Sequence, residues 1–249
     1  MADDLGFPIT VDRPPRRIVS LVPSLTEALA VTVPDRLVAV TDWCTHPPRL
    51  HLPRVRGTKN PDRQAIVALE PDLVIANQEE NRRLDVDRLR AAGVPVWVTV
   101  IESLDDALRS MRRLFSDVLA AGEPGWLREA ASQWTRPAPD PQLRVIVPIW
   151  RDPWMVVGAR TFTGDLLTRL GLVNVFADAD GRYPHVDLTD LRSAGADLVL
   201  LPDEPYVFTA DDGPEAFPGL RTVLVSGRHL TWYGPSLATA RTALLDQIR

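Results

Sequence analysis

Aromatic and ionisable side chains gather in the segments that follow the apolar runs of this chain. Trp43 stands in Thr41-Asp42-Trp43-Cys44-Thr45-His46-Pro47, and Trp150, Arg151 and Trp154 in Pro148-Ile149-Trp150-Arg151-Asp152-Pro153-Trp154. Glu79 lies in Asn77-Gln78-Glu79-Glu80-Asn81-Arg82, Glu204 and Tyr206 in Pro202-Asp203-Glu204-Pro205-Tyr206, and Trp232 and Tyr233 after His229. Ser24 follows the first apolar run, and His185 ends Arg182-Tyr183-Pro184-His185. Flat aromatic faces with a few polar groups suit a large planar organic ligand or a metal chelate.

Two other chemistries use the same residues. Cys44 and His46, two apart in one loop, are candidate ligands for zinc or another transition ion, with His185, His229, Glu79 and Glu204 as further donors. No tight spacing such as H-x-x-x-H accompanies them. Enzyme motifs are weaker: the chain has no G-x-S-x-G, P-loop or G-x-G-x-x-G. His185 or Glu204 could act as a base, but nothing pairs either with a nucleophile.

Lys59 is the single lysine among 28 basic residues. An ammonium and a guanidinium differ at a shaped site. Lys59 sits in the turn-rich Gly57-Thr58-Lys59-Asn60-Pro61, where its ammonium is expected to contact ligand or the opposite lobe, for instance Glu204.

The elements that must position these residues follow from the apolar pattern. Ile18–Val22 reads as a strand, followed by a helix opened by a Ser24–Glu27 capping box. Strands are expected at Leu37–Val40, Leu73–Ala76 and Val94–Val100, with a helix over 80–92 ending at Gly93. Helical spacing then runs through Leu104, Leu108, Met111, Leu114, Phe115, Val118 and Leu119, predicting a helix over 103–121 of roughly 28 Å. Asp140-Pro141, after Pro137 and Pro139, reads as a boundary. Beyond it, Leu143–Ile149, Asp197–Leu201 and Thr222–Val225 read as strands and Asp165–Leu170 as a helix.

The halves repeat. Asp72-Leu73-Val74-Ile75 matches Asp197-Leu198-Val199-Leu200, and Glu79 and Glu204 each fall seven residues after the Asp. This predicts an α/β protein of two Rossmann-like lobes: an N-terminal lobe over 1–102, a linking helical segment over 103–139, and a C-terminal lobe over 140–249. In open parallel sheets, ligands collect beyond the carboxyl ends of the strands.

Length and composition agree. The 249 residues are 45% hydrophobic and 24% charged, enough for a real core. The net charge of −5 and the lack of a basic stripe argue against nucleic acid. One cysteine excludes an internal disulfide, and no apolar run reaches membrane-spanning length. The acidic start Met1-Ala2-Asp3-Asp4-Leu5-Gly6 lacks a basic, then apolar, export pattern. A cytoplasmic protein is therefore expected, with an extracytoplasmic one as the alternative if a leader has been removed.

Over most of residues 15–245 the chain resembles the substrate-binding proteins of ABC importers that take cobalamin and iron–siderophore chelates, the cobalamin branch above all. Arg17–Glu27, Ile66–Val74, the 103–121 helix and the Trp232-Tyr233 loop carry the resemblance. It implies two lobes on one stiff helix (class III periplasmic-binding-protein-like) and a non-catalytic protein holding a corrinoid or other bulky metal chelate in the interlobe cleft. No cofactor is required. Ligand contacts are expected from Ser24, Trp43, His46, Lys59, Glu79, Trp150, Arg151, His185, Glu204, Tyr206, Trp232 and Tyr233. The resemblance also implies an ABC permease as partner, docked through a carboxylate on each lobe. The first such position falls near Arg63-Gln64, where Gln64 is neutral. The alternatives are a cytoplasmic enzyme acting on a tetrapyrrole-like ligand, or a direct metal-ion binder.

Overall fold

The computed structural model describes residues 1–10, 13–137 and 143–249. They form two compact units. The first comprises Met1–Ile101, Asp106–Arg128 and Tyr233–Pro235; the second comprises Glu102–Asp105, Glu129–Trp232 and Ser236–Arg249. The boundary expected at Asp140-Pro141 lies outside the described residues.

In the first unit the strands are β1 (Ile18–Ser20), β2 (Leu37–Val40), β3 (Arg56–Gly57), β4 (Asn60–Pro61), β5 (Leu73–Asn77) and β6 (Val96–Thr99). Strands β1, β2, β5 and β6 make one parallel sheet in the order β2-β1-β5-β6. Its helices are α1 (Pro23–Thr32), α2 (Arg63–Ala68) and α3 (Arg83–Ala91). Strand β5 is buried at every position, as a parallel strand covered on both faces must be. Val74, Ala76, Val96 and Val98 meet Ile66, Val86 and Leu89 of the helices in one core.

Helix α4 (Leu104–Arg112) follows and passes without a break into a π-helical stretch over Arg113–Val118. The expected helix over 103–121 is thus a run of about 22 Å. It stops at Leu119 because Ala120 takes a left-handed φ of 48°. Its first residues belong to the second unit and the remainder to the first. Helix α5 (Gly125–Trp134) comes next.

The second unit adds β7 (Leu143–Ile146), β8 (Pro148–Trp150), β9 (Met155–Val156), β10 (Leu172–Asn174), β11 (Leu198–Pro202) and β12 (Arg221–Val225). Its helices are α6 (Phe162–Arg169), α7 (Leu188–Ser193), α8 (Gly227–Thr231) and α9 (Leu237–Ile248). The parallel sheet runs β10-β7-β11-β12. In each unit the sheet order is second, first, third, fourth, so the repeat read from sequence is a repeat of topology.

The recurring aspartates have a physical job. Asp72 Oδ2 accepts the amides of Arg16 and Arg17 at 2.8 and 3.0 Å, while the Asp72 amide donates to Arg17 O at 2.8 Å. Asp197 repeats this with Arg144, at 2.7 and 2.8 Å. Each aspartate ties the entry of the third strand to the entry of the first and so sets their register.

Several local expectations change. Helix α1 begins at Pro23, with Val22 as its N-cap and no side-chain cap. Pro23 fits the first helical position because its missing N–H would have no partner there, so Ser24 lies inside the helix and no Ser24–Glu27 capping box forms. Helix α3 starts at Arg83 rather than residue 80 because Asn81 accepts the Asn77 amide at 2.8 Å and holds the preceding loop apart from the helix. The run Leu143–Ile149 divides at Val147, and β8 turns back as a hairpin with β9.

Candidate functional site

Parallel sheets of this order have their switch point between the first and third strands, and the crevice beyond it is the natural place for a ligand. Each unit presents such a region at β1/β5 or β7/β11.

In the first unit, two asparagines build the rim. Asn77 at the end of β5 donates to Thr99 Oγ1 at 3.1 Å and accepts the Glu79 and Glu80 amides at 2.8 and 3.3 Å. Asn81 donates to Leu21 O at 3.2 Å and Thr58 O at 3.0 Å. One side chain therefore joins the β1 exit, the β5 exit and the β3–β4 hairpin. Lys59, in the two-residue turn of that hairpin, donates its ammonium to the Glu79 carbonyl. That bond ties the turn to the backbone of the neighbouring loop. Asn77 and Asn81 were visible in sequence only as an Asn pair four apart around two acids.

Tyr233 completes this rim. Its hydroxyl donates to Glu80 Oε1 at 2.8 Å. Burial, then the Glu80 carboxylate, holds the phenol well above the usual tyrosine range, while the neighbouring Ser24 hydroxyl opposes the shift. Gly234 makes the approach feasible: a Cβ there would stand 2.7 Å from the Ser24 carbonyl. Trp43 projects from the β2 exit and is 66% exposed.

Cys44 is corrected as a metal ligand. Its thiol is fully buried, 3.0 Å from Thr26 Oγ1 and 3.1 Å from Thr41 Oγ1. Burial pushes it above the usual thiol value, against the hydroxyl contacts, so the metal-binding thiolate is disfavoured. His46 turns its Nδ1 to Thr45 Oγ1 at 3.1 Å. Among the described residues no group of three or more His, Cys, Asp or Glu side chains could hold a metal ion.

In the second unit, Arg151 in the β8–β9 hairpin bonds Asp212 and lies 2.5 Å from Glu215 Oε1. Tyr206 donates to Asp212 Oδ2 at 2.7 Å, and Trp150 meets the Tyr206 ring edge-on at 5.6 Å. Tyr206 packs on Phe208 and Phe208 on Trp154, so an aromatic ladder supports the exposed Trp150 face. Arg151 was expected as a ligand contact; its charge is largely met by Asp212 and Glu215, acids that lie beyond any motif and were not singled out in sequence. Glu215 is held below the usual carboxylate value: burial opposes this, but the Gly213 amide and the Arg151 guanidinium outweigh it. The Asp212 hydrogen bond raises the Tyr206 phenol.

Glu204 sits after β11 against the start of α8, where a Cβ on Gly227 would lie 2.7 Å from the Glu204 carbonyl. His185 pairs with Met155 as an isolated bridge and lines a separate hollow of about 340 Å³ beside Trp154. Trp232, expected to offer a stacking face, is only 7% exposed and lies under the Arg228 guanidinium. The first unit thus brings together Ser24, Lys59, Glu79 and Tyr233, and the second Trp150, Arg151 and Tyr206.

No protein-family model matches the chain. The vitamin B12-binding protein of Salmonella typhi is 30% identical over 188 residues, covering 73% of this chain and 70% of that protein. The chain belongs to the family of the vitamin B12-binding proteins. The Vibrio cholerae (strain O395) member is 28% identical over 208 residues, 80% of this chain and 71% of that protein. The solved periplasmic vitamin B12 binding protein BtuF of Vibrio cholerae superposes with a TM-score of 0.75 at 20% identity, covering 94% of this chain and 97% of that one. The periplasmic heme-binding protein RhuT of Roseiflexus sp. RS-1 gives 0.76 at 23% identity, with 94% and 99% covered. Membership fits the expected family of helical-backbone substrate-binding proteins, and these neighbours bear out the fold expected for it. The expectation of a cytoplasmic protein is corrected. The solved neighbours are periplasmic proteins, which runs against it. Among the described residues no helix is long and apolar enough to cross a membrane.

Proposed function

We propose that this chain is a non-catalytic binding protein for a bulky metal chelate, with cobalamin or another corrinoid first. Membership of the vitamin B12-binding family is the observation that carries this reading. The geometry supports it: Trp43 and Trp150, the two most exposed of the tryptophans named for the ligand, stand at the carboxyl-end loops of sheets with the same topology. Each unit also places a tyrosine hydroxyl on a carboxylate in that region, which fixes the polar groups around a flat apolar surface. An importer permease is the partner in this reading, and the exposed Gln64 on α2 leaves its docking position without a carboxylate.

The test is direct. Protein incubated with aquocobalamin and desalted should retain the corrinoid absorbance in stoichiometric amount; colourless protein would sink the corrinoid reading. Haemin retained in place of aquocobalamin would move the ligand to porphyrins. A spectrum that changes with turnover would move the protein to the enzymes.

A further inference from the structure

We propose that the amino end of the first sheet carries a phosphate-binding site formed by Arg13, Arg16 and Arg36. These residues, with Pro14, line a hollow of about 280 Å³. Arg13 and Arg16 precede β1 and Arg36 precedes β2, and the two strands are neighbours with Ile18 opposite Leu37. Three arginines thus line one hollow from the entries of adjacent strands. The candidate chelate loops leave from the other ends of the same strands, so the two sites are separate.

The charge arrangement points to a ligand. Several arginines elsewhere face carboxylates: Arg63 faces Asp85, Arg90 faces Asp3, Arg113 faces Asp4 and Arg169 faces Asp165. Among the described residues no ion pair joins Arg13, Arg16 or Arg36. Asp72, close to Arg16 in space, is engaged by the main-chain amides of Arg16 and Arg17. Arg36 is held in place by an Nη1 bond to Leu119 O at 2.6 Å, which leaves its other donors available.

Gathering three like charges is unfavourable unless a counter-charge joins them. This happens in a chain of net charge −5, so the patch runs against the molecule's own balance. Guanidinium forks match the paired oxygens of a phosphate, and a tetrahedral dianion can take bonds from several forks at once. The phosphate could be a free anion or a lipid headgroup.

Calorimetric titration with inorganic phosphate and pyrophosphate at low ionic strength, and sedimentation with phosphatidylcholine vesicles with and without phosphatidylglycerol, separate these sources. Saturable binding in either arm, weakened roughly tenfold in R13Q/R16Q and less in R13K/R16K, is the expected result. The R83Q control, at an exposed arginine on α3, should bind as the parent does. Saturable titration alone assigns a free anion, and sedimentation restricted to the anionic vesicles assigns a headgroup. No binding in either arm would overturn the proposal. So would R13Q/R16Q binding as tightly as the parent, or an equal loss in R83Q.

Discussion

The Tyr233 hydroxyl donates to Glu80 at 2.8 Å and ties the segment after α8 to the loop after β5, both within the first unit. A tyrosine 153 residues from its acceptor thereby shapes the rim. Burial and the carboxylate raise this phenol far above its ordinary value of 10.0. A group whose pKa is raised on folding stabilises the protein below the ordinary value and loses that contribution as pH climbs toward the folded one. Alkaline absorbance titration should therefore show one of the three tyrosines ionising only with unfolding, and Tyr233→Phe should abolish that late phase. Its hydrogen bond to a charged group should also be missed, by about 1.5–3 kcal/mol of stability. A late phase kept in the two-tyrosine curve of Tyr233→Phe would place it on another residue.

The tryptophans divide by exposure. Trp43→Ala and Trp150→Ala should each weaken aquocobalamin binding by about 1–3 kcal/mol through lost apolar area and ring contact, with little change in melting temperature. Trp232→Ala should instead destabilise the fold by about 3–5 kcal/mol, as removing a buried ring does. Thermal unfolding paired with ligand titration for all three checks this division; unchanged affinity in both Trp43→Ala and Trp150→Ala would remove them from the ligand.

Lys59 presents a shape test. Its ammonium, at the tip of the β3–β4 turn, donates to the Glu79 carbonyl. Lys59→Arg preserves charge but needs more room there, so the hairpin should loosen. Hydrogen exchange at Thr58 and Glu79 should speed up in Lys59→Ala and in Lys59→Arg, with a stability cost of about 0.5–1.5 kcal/mol in the alanine variant. Exchange unchanged in both would show that Asn81 alone holds the loops together.

Glu215 sets an acid dependence. Its folded value lies below the ordinary 4.5, so it stabilises the native state above that pH, and the contribution fades as pH falls through the folded value. Melting temperatures of the parent and Glu215→Gln should differ at neutral pH and converge below about pH 4.5. Parallel curves across that range would assign the acid sensitivity to other carboxylates.

The apolar runs, the central strand Leu73–Asn77 and the matched Asp72 and Asp197 were legible because burial in a parallel sheet demands continuous apolar residues, and strand entries demand a fixed capping group. Cys44 and Trp232 were not legible in the same way. Composition shows that a thiol or an indole is present, but whether it faces solvent depends on which chain segments close over it. The same holds for Lys59, Asn81 and the Arg151–Asp212–Glu215 cluster, which have partners 20 to 64 residues away in the chain that are chosen by packing. By itself, then, the sequence determined the two α/β halves, their repeat and the loops where chemistry gathers, since these follow from local periodicity. Tertiary structure alone decided which aromatics stay open to a ligand and which charges are already met, because exposure and pairing are properties of neighbours distant in the chain.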